Sequence, residues 1–257
     1  MAAPHLKAVD ESVDIQGIQS LIQAQRAFFS GGHTKDLKVR EERLKTLRQM
    51  LIEGEEALLA ALKADLNKSE TEGWATELGF LILEIDHTLK HFKSWAKPTY
   101  HVPTILTLPG MGVRRPEPLG VTLTLGAWNY PLQLTLAPII GALAAGNTCI
   151  VKPSEISPAT SKVIADLISE AFDPRYVAVV EGGVETSQAL LEERFDKIFF
   201  TGGTAIGKII MAAAAKHLTP VTLELGGKSP CIVLDDADTT IAARRIAWGR
   251  FINAGQV

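Results

Sequence analysis

Between residues 15 and 97 the apolar positions fall at helical spacing. Leu44, Leu47, Leu51, Leu58 and Leu62 form one stripe through residues 37–67, with Arg and Lys between them and Gly54 as a weak point. Leu78, Leu81, Ile85, Leu89 and Phe92 form a second stripe through residues 71–97, which ends ahead of Pro98. With a first helix opening at Ile15, the segment reads as three helices whose stripes face a core rather than a ligand. The rhythm then changes. Two short extended runs, residues 105–108 and 112–115, flank Pro109-Gly110 and predict a β-hairpin within residues 99–118.

From residue 119 onward, β-branched apolar runs alternate with helical stretches. Strands are expected at 121–125, 148–151, 177–180, 197–200, 221–223 and 231–234, and helices at 132–145, 159–171, 184–191, 205–216 and 239–252. This alternation implies an α/β fold, a Rossmann-like, mostly parallel sheet flanked by helices on both faces. The expected plan is a flexible N-terminus over residues 1–14, followed by one domain. That domain has a helical preface at 15–98, the hairpin at 99–118 and the Rossmann-like part at 119–257. Neither helices nor sheet can bury their apolar sides without the other.

Composition narrows the partners. A net charge of -3, with 46% hydrophobic and 21% charged residues, is ordinary for a globular protein and points away from nucleic acid and anionic membranes. Small metabolites fit better. Two cysteines in 257 residues form no disulfide framework and suit a reducing, cytoplasmic setting. The N-terminus has no basic region leading into an apolar core, so no signal peptide is expected. The most apolar window, residues 131–151, is interrupted by Gln133, Pro138, Gly141, Gly146 and Asn147. It reads as a packed helix and strand rather than a membrane segment.

Ligands of an open α/β sheet sit beyond the carboxyl ends of its strands. Those ends carry Gly126-Ala127-Trp128-Asn129-Tyr130-Pro131, Lys152-Pro153-Ser154-Glu155, Thr201-Gly202-Gly203-Thr204-Ala205-Ile206-Gly207 and Glu224-Leu225-Gly226-Gly227-Lys228. The third block is a glycine-rich turn opening a helix, which suits a phosphate. Its spacing departs from GxGxxG, which requires glycine where Thr204 stands, and alone it reads equally as a tight turn. Lys152 and Glu155 could hold ribose hydroxyls or form a solvated pair. Glu224, between two leucines, reads either as a buried general base with a raised pKa or as an exposed strand-end carboxylate. Asn129 could stabilise an oxyanion or simply form its turn.

Together these blocks say more. Trp128-Asn129-Tyr130-Pro131, Val151-Lys152-Pro153-Ser154-Glu155, Phe200 to Gly207, Leu223 to Pro230 and Phe251-Ile252-Asn253-Ala254-Gly255-Gln256 closely resemble the aldehyde dehydrogenase superfamily, in its order and at about its spacing. The short N-terminal arm, the run from Ala127 to Gln133 and residues 216–231 resemble its class 3 branch, which handles medium- or long-chain aliphatic and aromatic aldehydes. The resemblance implies the aldehyde dehydrogenase fold and NAD or NADP as cofactor. It implies Glu224 as general base, Asn129 as the oxyanion-stabilising amide, and Lys152 and Glu155 at the adenine ribose. Gly202, Gly203, Thr204, Ala205, Ile206 and Gly207 would lie along the phosphates, with Trp128, Leu225 and Gly226 completing the cofactor site. Glu155 would repel a 2′-phosphate, which favours NAD.

The family's nucleophile motif is Phe-x-Asn-x-Gly-Gln-x-Cys. Phe251, Asn253, Gly255 and Gln256 match it, Val257 fills the variable place, and the cysteine would come next. The resemblance implies a thiolate attacking the aldehyde, hydride transfer to the nicotinamide and water activated by the base. The expectation is therefore a truncated aldehyde dehydrogenase, inactive by itself, whose intact form is a homodimer acting on an aldehyde substrate. A non-catalytic NAD(P)-binding short form, or partner of a full-length subunit, is the alternative. Cys149 and Cys231, both inside expected strands, read as buried packing rather than substitute nucleophiles.

Overall fold

The computed structural model describes residues 14–102 and 104–256, so the arm expected at residues 1–13 lies outside the described residues. Asp14, grouped with that arm above, belongs to the fold instead. Its carboxylate accepts the Gly17 N–H at 2.8 Å and caps α1 (Ile15–Ser30). The stripe read as one helix over residues 37–67 is two, α2 (Leu37–Glu53) and α3 (Glu55–Leu66), meeting at Gly54, which caps both. A Cβ at Gly54 would stand 2.6 Å from Leu167 Cδ1, so the break also admits a neighbouring helix. After it, α4 (Glu70–Gly73), a π-helical turn (Trp74–Leu78) and α5 (Gly79–Trp95) run on without a gap.

The hairpin forms with its second strand where expected and a different first strand. β1 (Thr99–His101) pairs antiparallel with β2 (Gly112–Arg114), whereas Ile105–Thr107 is a 3-10 turn. The Thr107 N–H bonds back to the Thr104 carbonyl at 2.9 Å, which curls the segment expected to be extended. Its Ile105 and Leu106 side chains are exposed.

The remaining elements alternate: β3 (Val121–Leu125), α6 (Gln133–Ala145), β4 (Thr148–Lys152), α7 (Pro158–Ala171), β5 (Val177–Val179), α8 (Val184–Glu192), β6 (Lys197–Gly202), α9 (Thr204–Ala215), β7 (Val221–Leu225) and α10 (Thr239–Phe251). The strands form one parallel five-stranded sheet in the order β5-β4-β3-β6-β7. The strand expected at residues 231–234 is absent, and Ile232, Val233 and Leu234 are exposed there. Ser229 takes a φ of 43°, and Pro230 offers no N–H, so the chain leaves the ladder beyond β7. Cys231 is consequently exposed, against the expectation of a buried strand position.

Alternation along the strands divides the core. Val121, Leu123, Leu125 and Ile150 face α1, α8 and α9, while Cys149 and Val151 face the packed stripes of α2, α3, α5, α6 and α7. The leucine stripes read from sequence are thus the covering of one sheet face, each buried leucine contributing about 1.5–3 kcal/mol. Among the described residues no helix is long and apolar enough to cross a membrane.

Candidate functional site

The strand order creates a crevice. From β3 the chain steps outward through β4 and β5, then returns to the other side of β3 for β6 and β7. At such a reversal the loops beyond the strand ends diverge and leave room for a ligand. A cleft of about 770 Å³ opens there, a size typical of small-molecule sites. Trp128, Asn129, Lys152, Glu155, Gly202, Gly203, Ile206, Glu224, Leu225 and Gly226 all line it. Thr204, Ala205 and Gly207 do not. Gly207 packs instead where a Cβ would meet Leu225 Cδ2 at 2.9 Å, which lets α9 lie close to β7.

Lys152 is buried at the end of β4, and its ammonium bonds Glu155 Oε2 at 2.5 Å across the cleft wall. Burial pushes the Glu155 carboxyl up, but the Lys152 hydrogen bond and charge outweigh it and hold the group below its ordinary value. Ser157, also buried, donates to the Trp128 carbonyl at 2.9 Å and ties this loop to the one after β3.

Asn129 is half-buried. Its carbonyl accepts Asn253 Nδ2 at 2.8 Å and Lys68 Nζ at 3.4 Å, and its side-chain amide donates to the Gln256 carbonyl at 3.3 Å. Residues Asn253, Ala254 and Gly255 all have positive φ, a sharp turn that brings Gln256 into the lining.

On the opposite wall, Gly203 caps α9 and lines the cleft together with Ile206 of the helix's first turn. A Cβ at Gly202 would fall 2.4 Å from Phe200 Cζ, whereas at Gly203, Gly226 or Gly227 it would meet nothing within 4 Å. The floor holds an orphan. Thr201 Oγ1 is buried without a hydrogen-bond partner among the described residues. Of the two readings left open for Glu224, the structure gives the exposed one: it stands at the end of the edge strand β7.

The sequence reading passed over Val184 and Ser187, which line the cleft from the first turns of α8. Applying the strand-end rule to β5, as to the other strands, would have found them. It also gave no role to Thr201, near the end of β6, or to Gln256, whose position depends on the turn at residues 253–255.

Comparison with known proteins gives this arrangement relatives. Residues 11–257 match the model of the aldehyde dehydrogenase family. The chain is 48% identical over 235 residues to aldehyde dehydrogenase family 3 member A2 of Rattus norvegicus, covering 91% of this chain and 49% of that protein. It is 46% identical over 242 residues to the dimeric NADP-preferring aldehyde dehydrogenase of the same organism, covering 94% and 53%. Among solved structures, AldH of Staphylococcus aureus in a substrate-bound state superimposes with a TM-score of 0.91 at 43% identity, over 93% of this chain and 52% of that one. The NAD+ complex of an aldehyde dehydrogenase from Bacillus cereus gives 0.85 at 29% identity, over 95% and 50%. The chain spans about half the length of the curated relatives it matches.

Proposed function

The chain belongs to the aldehyde dehydrogenase family, and from that premise we propose that its cleft holds NAD or NADP for the oxidation of an aldehyde to a carboxylic acid. The observation that carries this reading is the convergence of four strand-end loops, bearing Asn129, Lys152 with Glu155, Gly202 with Gly203, and Glu224, on one crevice. The residues present fit a dinucleotide. The three glycines without neighbours leave the backbone open to close approach, and the orphaned Thr201 hydroxyl awaits a polar partner. The nicotinamide, when bound, supplies the hydride acceptor.

The protein's groups divide the remaining work. The N-terminus of α9 and Gly203 receive the phosphates, while Lys152 and Glu155 hold ribose hydroxyls. The Asn129 amide donates to the oxygen that gains charge as the aldehyde carbon becomes tetrahedral. Glu224 removes a proton from the attacking water. The Glu155 carboxylate repels a 2′-phosphate, which favours NAD over NADP. Medium- or long-chain aliphatic and aromatic aldehydes are the proposed substrates, in a cytoplasmic homodimer. The similarity to family 3 and to a relative named as dimeric supports the aldehyde chemistry and the dimer.

For the 257-residue chain by itself we propose cofactor binding without turnover. Neither cysteine lines the cleft. Cys149 is buried in β4, where burial pushes its thiol up to about 12, and Cys231 is exposed elsewhere. The test is aldehyde-dependent NAD(P)H formation by the full-length protein that carries this chain, followed by absorbance. Glu224→Gln should lower kcat by about 100-fold or more. A wild-type protein that forms no NAD(P)H with any such aldehyde rejects the reading, and an unchanged Glu224→Gln rate rejects that residue's role.

A further inference from the structure

Lys68 and Glu77 enter none of these steps and do not line the cleft, yet they form the most deeply buried ion pair the fold contains among the described residues. Their side chains are 2% and 0% exposed, with Lys68 Nζ 2.5 Å from Glu77 Oε1. Isolating two charges from water is unfavourable unless further hydrogen bonds satisfy them, so their partners are informative. The second Glu77 oxygen accepts the N–H groups of Leu132 and Gln133 at 2.9 and 3.2 Å, at the start of α6. Lys68 Nζ sits 4.2 Å from the centroid of the Tyr130 ring and 3.4 Å from the Asn129 carbonyl. Every group that the pair reaches lies within residues 129–133.

The π-helical turn explains how Glu77 comes to be there. Adding a residue to one turn shifts the face that follows it, and Glu77, Leu78 and Gly79 are buried in succession. Just upstream, Glu72 Oε1 accepts the Asn253 N–H at 3.1 Å, and the Asn253 side chain holds the same Asn129 carbonyl. The Asn129 backbone is thus held directly by Lys68 and, through Asn253, by Glu72, while Asn129 remains in the cleft lining.

We infer that Lys68 and Glu77 are positioning residues: through the backbone of residues 129–133 they set where the Asn129 amide stands in the cleft. The inference rests on the role given to Asn129 above. Displacing a reacting group by about 1 Å costs on the order of 100-fold in rate.

The test is a cycle in the full-length protein. Lys68→Met combined with Glu77→Gln removes both charges and keeps an acceptor for the two N–H groups. This variant should lower kcat by about 100-fold, with the aldehyde KM and the NAD Kd held within about twofold. In an Asn129→Ala background the same changes should add less than about twofold, since an absent amide has no position to lose. Equal losses in both backgrounds, or no loss of kcat beside intact Asn129, overturn the inference. Should the double variant not fold, Lys68→Arg keeps the charge, shifts its contacts and carries the same cycle. A readout independent of turnover is amide hydrogen exchange in the 257-residue chain. The Leu132 and Gln133 amides should exchange about tenfold faster in the double variant, with those of β3–β5 unchanged. Unchanged exchange overturns the inference. A wild-type protein without NAD(P)H formation instead rejects the aldehyde reading, and the exchange result then decides the placement alone.

Discussion

The two walls of the cleft are built differently. The wall over β3 and β4 is closed and cross-linked: Lys152 is buried, Ser157 joins two loops, and the Lys68–Glu77 pair fastens the Asn129 segment from beneath. The wall over β7 is open. Glu224, Leu225 and Gly226 are exposed, and so are Ile232, Leu234, Trp248 and Phe251 beyond them. The contrast separates two tasks. Lys152, Glu155 and the Asn129 amide are held by contacts among residues 65–160 and with Asn253 and Gln256, whereas Glu224 is left exposed. A carboxylate so placed has its position fixed by β7 and stands open to solvent.

The sharpest way to break this comparison is to disrupt the closed wall. Glu77→Ala leaves the Lys68 ammonium buried without its partner, and should destabilise the chain by about 3–5 kcal/mol in denaturant unfolding. A loss under about 1 kcal/mol would show the two walls to be equally loose. Next in size is the glycine turn. Gly202→Ala drives a Cβ against the buried Phe200 ring and should cost about 1–3 kcal/mol, while Gly226→Ala, opening into space, should stay within about 0.5 kcal/mol. Equal effects at the two positions would contradict the packing described.

A pH experiment sharpens the picture around Lys152. The Glu155 carboxyl lies below its ordinary value of 4.5 in the folded chain, so its contribution to stability is fully present above that value. It is lost as pH falls through the lower folded-state value. The stability gap between wild type and Glu155→Gln should therefore be constant near neutrality and close in acid. A gap that widened on acidification would reverse the sign. Smallest of all is the exposed Lys216–Glu192 pair, at 54% and 68% side-chain exposure. Lys216→Ala should barely move the unfolding midpoint, and the difference should vanish in high salt.

Much of this was legible in the chain because strand ends are marked by chemistry. A β-branched run followed by Lys-Pro-Ser-Glu or Thr-Gly-Gly-Thr declares both where a strand stops and what stands beyond it. The failures have physical causes. β1 is short, polar and exposed, so no apolar alternation announces it. Residues 231–234 carry a strand's composition, but the preceding backbone turn at Ser229 and Pro230 takes them off the sheet edge. Glu77 is one of the polar positions between the apolar ones of residues 71–97, and nothing in the local pattern singles it out. Its importance arises from a π-helical turn and from amide groups 55 and 56 residues away, neither of which local periodicity can reveal. Glu224 stayed open between burial and exposure, because flanking leucines cannot say whether their strand lies at the edge of the sheet.

Titration of the 257-residue chain with NAD+, followed calorimetrically, tests the central claim most directly. Saturable binding at one site is predicted, with Lys152→Ala and Gly203→Asp each raising Kd by about tenfold or more, the second by placing a carboxylate at the N-terminus of α9. Absence of saturable binding, or binding indifferent to both substitutions, would contradict the account.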